Sequence, residues 1–211
     1  MLDVHLPHEK MHGIRDFLLH LFTITVGLLI ALALEGCAER WHHRELRKEA
    51  DANLRQEIRE NAEEIESSHV ANASEQESLK KVLEFFKARK QDRDYDTHEI
   101  KLGFTIGELK NASWKTASAT GVLSYMEYDH VQGYAAAYQL QDKYSALQDE
   151  TINEYLQLQS YLIYGFDSKN VTPTDAISAE LDARRTLVHL VAMDQIATAV
   201  KKQYDMVLEA K

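Results

Sequence analysis

Glutamate and histidine are the residues whose spacing in this sequence could do chemistry. Glu-x-x-His occurs three times, as Glu39/His42, Glu66/His69 and Glu127/His130. In ferritin-like bundles, two such pairs and two further glutamates converge on a di-iron centre. The placement here is poor for that. The first pair borders an apolar run, the second lies in a strongly polar stretch, and the third straddles an expected helix start; all three read as solvated faces. His5, His8 and His12 form a second group at i, i+3 and i+7. Three imidazoles on one helical face could hold Zn²⁺ or Cu²⁺. Pro7 interrupts a regular helix, however, so the segment reads as an interfacial leader with its histidines and Arg15 among lipid headgroups. Tyr134 and Tyr138 stand one turn apart; they are expected in a core or interface, with a ligand-facing platform as the alternative.

No Gly-rich phosphate loop, HExxH or GxSxG is present. Cys37 is the sole cysteine, which excludes an intrachain disulfide and a thiol-only zinc site. His189 reads as a satisfied core histidine. The chain is therefore expected to be no enzyme, with no catalytic residue, no cofactor and no resident metal. With 24 basic and 34 acidic residues the net charge is −10, and no basic stripe could track phosphates, so nucleic acid is excluded as a partner.

The elements that would position these residues begin with FLLHLFTITVGLLIALALEGCA, residues 17–38. From Phe17 to Leu34 there is no fixed charge, and His20 is the only ionisable side chain. About 20 such residues in a helix cross a hydrocarbon core about 30 Å thick. A single transmembrane helix is expected; a cleaved signal peptide is the alternative, since Ala33, Gly36 and Ala38 imitate a cleavage site. Gly27 and Ala31 give a small-xxx-small spacing suited to helix–helix approach, with Thr23 a turn earlier. Glu35 near the end of the span must reach the interface or a partner. Trp41 is typical of the membrane–water boundary.

Residues 39–90 follow as an amphipathic stalk helix. Leu46, Leu54, Ile58 and Ile65 recur at helical spacing between charged positions, and together with Gly27, Ala31, Glu35 and Trp41 they are expected to carry interaction surfaces. The polar run Ser67–Ser78 is a candidate turn or kink, and Gln91–Asp96 is a loop. In Thr97–Asn111, alternating Ile100, Leu102, Phe104 and Ile106 suit a short strand, a loop or a short helix. WKTASATGVL, from Trp114, reads as a small-residue helix ending near Gly121. Asp129 with Gln132 resembles a capping box that opens a long helix to about Tyr164. Thr172, Pro173 and Asp175 open the last helix. Ile177, Leu181, Val188, Val191, Ile196, Val200, Tyr204 and Leu208 are expected to form its buried face. The fold expected is all-α: a leader (1–16), a transmembrane helix (17–38), a stalk (39–90) and the rest of a bundle of about four helices (91–211).

DFLLHLFTITVGLLIALALE with its charged continuation, and ASWKTASATGVLSYMEYDHVQGYAAAYQLQ, resemble a group of uncharacterised bacterial single-pass membrane proteins. Their anchors read VGxLIALxxE, and their helical domains carry W-x-T-A-x-x-T/S-G, matched here by Trp114 to Gly121. The resemblance implies a bacterial envelope protein without catalytic residues to carry over. Counted locally, Lys10 and Arg15 precede the span and Arg40, Arg44, Arg47 and Lys48 follow it, which favours a cytoplasmic domain; the resemblance implies a periplasmic one, and that is the placement expected in the inner membrane. The function expected is a membrane-anchored interaction module acting through self-association or another membrane protein. The alternatives are a small-ligand sensor and a metal-binding helical protein.

Overall fold

The computed structural model describes residues 13–167 and 170–210, so His5, His8 and His12 lie outside the described residues. Within them the chain is all-helical and contains no strand. Its elements are α1 (Ile14–Lys90), α2 (Ala112–Thr120), a 3-10 turn (Val122–Tyr125), α3 (Tyr128–Ser160) and α4 (Pro173–Glu209). Two compact units meet in sequence after Lys48.

The first unit is the opening part of α1. Asp16 in the first turn complements the helix dipole. Phe17, Phe22, Ile24, Leu29 and Leu34 are exposed in this unit. The helix here is long and apolar enough to cross a membrane, by length and composition. Its two threonines donate to the carbonyls one turn back, Thr23 to Leu19 at 2.9 Å and Thr25 to Leu21 at 2.8 Å, so neither hydroxyl needs water.

In the second unit the rest of α1 packs with α3 and α4 around one core. Asp51, Glu57 and Asn61 of α1 meet Tyr134, Tyr138 and Gln141 of α3 in the same order, so these helices run parallel. Arg55, Glu66, His69 and Lys90 meet Val207, Lys201, Asp194 and Glu180 of α4 in reverse order, so α4 runs antiparallel. Ala137 on α3 and Ala176, Ala179, Ala183 and Ala197 on α4 are buried, and small residues let this pair approach closely. Phe85 and Phe86 close one end of the core; Phe166 lies edge-on to Phe85 at 5.5 Å.

The polar run Ser67–Ser78 neither turns nor kinks: α1 is helical throughout. His69, Glu75 and Gln76 of this run reach partners, while Ser68 Oγ and Asn72 Nδ2 are buried without one. Asp194 receives Gln76 Nε2 at 2.6 Å and lies 3.2 Å from His69 Nδ1.

Helix ends follow local chemistry in two of three places. Thr172 and Asp175 form the reciprocal capping box, with Pro173 in the first turn of α4. Gly121 adopts φ 73° and ends α2 in the left-handed region that a side chain would oppose. The expected box at Asp129/Gln132 does not form. Glu127 is the N-cap of α3 and makes no side-chain capping bond, while Gln132 Nε2 donates to the Tyr128 hydroxyl at 2.6 Å. α3 ends at Ser160, and turns carry the chain to Gly165, whose φ is 83°.

The buried face of α4 also differs from expectation. Val200 and Tyr204 are in the core, but Ile177, Leu181, Val188 and Val191 are exposed. Ala176, Ala179, Glu180, Asp182, Ala183 and Thr186 point inward in their place. Small residues fit the close approach to α3, and the carboxylates find cations. Lys90 from α1 holds the Glu180 carboxyl below the usual carboxylate range, with Arg184 adding to the effect.

Candidate functional site

Chain 97–111 forms neither strand nor helix, yet its backbone is held along α1 by side chains. From one end to the other, Gly103 N–H donates to Glu75 Oε2 at 3.2 Å. Gln148 of α3 grips the Gly107 peptide on both sides, accepting from its N–H at 3.2 Å and donating to its carbonyl at 3.0 Å. Asn61 grips Lys110 likewise, each bond at 2.7 Å. Ser113 N–H donates to Glu57 Oε2 at 2.8 Å. Partners on α1 fall from 75 to 57 as the strap rises from 103 to 113, so the strap runs antiparallel to α1. A buried peptide must satisfy its N–H and C=O, and amide side chains here replace a neighbouring strand.

The lower rungs lead into a buried polar layer. Glu57 Oε1 accepts from the Tyr138 hydroxyl at 2.6 Å, while its second oxygen supplies the cap that Asn111 does not give to α2. Trp114, on α2, stacks on Tyr138 with ring centroids 5.2 Å apart. Gln141 Oε1 accepts from Asn61 Nδ2 at 3.0 Å and from the Tyr204 hydroxyl at 2.7 Å. Asp51 accepts from Tyr134 at 2.7 Å and from Arg55 Nε at 2.8 Å. Arg55 then reaches the carbonyls of Val207 and Leu208 on α4 and of Ala210 just beyond it at 3.3, 3.1 and 2.8 Å.

Burial, then the neighbouring carboxylate, pushes the phenols of Tyr134 and Tyr138 well above the usual range; burial does the same for Tyr204. Tyr95 is raised first by its bond to Glu84, and Tyr144 and Tyr155 by burial. Six of the chain's ten tyrosines therefore resist ionisation. A folded pKa above the unfolded value near 10 means stability that is complete below about pH 10 and lost as pH rises through the folded values. Absorbance near 295 nm should thus show these tyrosines ionising together with loss of helical circular dichroism. Full tyrosinate formation by about pH 11 with the helices intact would contradict the assignment.

The sequence-predicted residues divide as follows. Gly27, Ala31, Glu35 and Trp41 are exposed on the first unit, and Leu46 is half-buried. Leu54, Ile58 and Ile65 are closed inside the protein's own bundle and offer no surface to a partner. Tyr134 and Tyr138 are core residues with engaged hydroxyls, and Tyr138 also lines an open groove of about 460 Å³ with Trp114, Gln132 and Gln139. Tyr134 borders a cavity of about 170 Å³ with Arg55, His130 and Gln203, smaller than the roughly 300–1,000 Å³ of ordinary ligand sites. Glu66 pairs with Lys201 at 2.5 Å and His69 with Asp194, so that Glu-x-x-His serves the α1–α4 seam. His189 is not the satisfied core histidine expected, since its Nδ1 is buried without a partner. Among the described residues no group of three or more His, Cys, Asp or Glu side chains is placed to hold a metal ion.

Glu57, Asn61 and Gln148, which organise the layer, were not singled out from the sequence. The signal was present on α1: Glu57, Asn61, Ser68 and Asn72 continue the spacing of Leu54, Ile58 and Ile65, a polar set on an otherwise apolar face. Comparison with protein-family models, curated proteins and solved structures finds no match to this chain.

Proposed function

We propose that this protein is a membrane-anchored helical interaction module, an accessory or scaffolding subunit of a membrane complex or homo-oligomer. The observation that carries the reading is the contrast between the two units. The first exposes an uninterrupted apolar helical surface, whereas the second closes its core around the Tyr138–Glu57 and Tyr204–Gln141 hydrogen bonds. A surface of that kind demands lipid or protein around it. The resemblance of the anchor and of Trp114–Gly121 to bacterial envelope proteins points the same way. On that basis we place the chain in a bacterial inner membrane, bundle on the periplasmic side. The rival sensor reading depends on Tyr134 and Tyr138, whose hydroxyls already have partners.

Within the span, Gly27 has no neighbour within 4 Å of where a Cβ would sit, so its surface is open to another helix. Replacing Gly27 and Ala31 with leucine should lower the native mass of the full-length protein purified in mild detergent. Retention of the same assembly would rule out this pair as the contact. Resistance of the wild-type chain to a carbonate wash, with protease access to the bundle from the periplasmic side only, tests the anchor and its orientation.

A further inference from the structure

On α4, Ile177, Leu181, Val188 and Val191 retain 62, 51, 64 and 41 % of their surface. At about 100° per residue these four fall within an arc of about 80°, and they span about 21 Å along the axis. A helix that serves only its own bundle turns such residues inward. Here Ala176, Ala179 and Ala183 take inner positions with Leu190, and Ile177, Leu181, Val188 and Val191 form an outward line. Arg184 lies on that line between Leu181 and Val188, with Arg185 beside it; their side chains are 59 and 52 % exposed. Both are secured from beneath, Arg184 by Glu180 and Arg185 by Asp182 at 3.4 Å. Because those two carboxylates are buried, α4 presents cations and no exposed carboxylate from Ile177 to Val191.

We propose that this face is a docking surface for an amphipathic helix of another protein, one with an apolar line and carboxylates near its middle. Charge selects this occupant. A second copy pairing two-fold along the whole line would place Arg184 against Arg184, since 184 is its midpoint, and like charges in contact repel. An anionic lipid surface is a poorer match, because the chain carries a net charge of −10 and the line has no lysine or aromatic anchor. An acidic helix meets two guanidinium groups already held in place, which lowers the cost of ordering them.

The inference rests on the interaction-module reading and names the partner's chemistry. A photo-crosslinking amino acid at Val188 of the full-length protein, activated in native membranes, tests it when adducts are sequenced by mass spectrometry. The expected adduct is a segment of another polypeptide with acidic residues flanking helically spaced apolar ones. It should fall by at least about tenfold in Arg184→Gln/Arg185→Gln and in Ile177→Ser/Leu181→Ser, the latter altering only exposed positions and leaving helicity and Tm unchanged. Adducts to a second copy or to lipid, adducts to a segment lacking carboxylates, or a yield no greater than from a probe at exposed Glu150 would each overturn the proposal. If the chain washes off membranes while the acidic-helix adduct persists, the anchor fails and the docking face stands. Retention in the membrane without the adduct reverses that conclusion.

Discussion

Replacing Glu57 with alanine is expected to lower the unfolding free energy of the second unit by about 3 kcal/mol. The side chain is buried and holds two groups at once, the Tyr138 hydroxyl and the Ser113 amide at the start of α2. Alanine leaves both donors without an acceptor and opens a cavity behind Trp114, which stacks on Tyr138. Glu57→Gln keeps an oxygen for one donor and should cost about 1 kcal/mol. Denaturant unfolding of the full-length protein in detergent, followed by near-ultraviolet circular dichroism, measures the difference. Tyr138→Phe removes one of the two bonds from the other side. The double variant should therefore lose less than the sum of the single losses. Strict additivity, or a loss below about 0.5 kcal/mol for Glu57→Ala, would show that the bond network carries no stability.

Gly107→Val should cost about 2–3 kcal/mol for a different reason. A Cβ at this position would collide with Ser68 Oγ and would lie 3.3 Å from Glu64 Oε1. Ser68 is buried, so it has little room to yield. The strap cannot lift to make space without breaking both bonds to Gln148. At Gly103, by contrast, the nearest atom is the end of the Glu75 side chain at 3.1 Å, which can swing aside. Thermal midpoints of Gly107→Val and Gly103→Ala, measured side by side, should separate by several degrees, with Gly107→Val the lower. Equal midpoints would mean that the strap is not pinned at Gly107.

The helical elements were legible where their signals are local. The apolar run 17–34, the stop at Gly121 and the Thr172–Asp175 capping box all lie within a few residues of the structure they specify. The strap was not legible because its hydrogen-bond partners lie far along the chain: Gln148 is 41 residues from Gly107 and Asn61 is 49 from Lys110. Alternating Ile100 to Ile106 imitates a strand, but no second strand is available among the described residues, and side-chain amides take its place. On α4, periodicity located the apolar line but not the side that faces the core. A second line of alanines fits the close approach to α3 better than isoleucine and leucine do, and Glu180 is buried because Lys90 of α1 pairs with it. Tyr134 and Tyr138 are buried in the core. Their carboxylate partners Asp51 and Glu57 lie 83 and 81 residues away, beyond the reach of any local pattern.

The clamp between Arg55 and the carbonyls at Val207, Leu208 and Ala210 has a kinetic side. Its two halves are separated by 152 residues or more. Ribosomes add about 5–20 residues per second, so α1 waits about 8–30 s for the helix that completes its core. Until α3 and then α4 are made, Leu54, Ile58 and Ile65 lack the bundle that buries them, and a helix with a bare apolar stripe is prone to stick to its neighbours. What α1 has meanwhile are contacts made within a turn of itself, such as Asp51 with Arg55 and Gln56 with Glu60. These contacts add little to the finished bundle. Their contribution falls in the seconds of synthesis, when they favour the helical form of α1 before its partners exist.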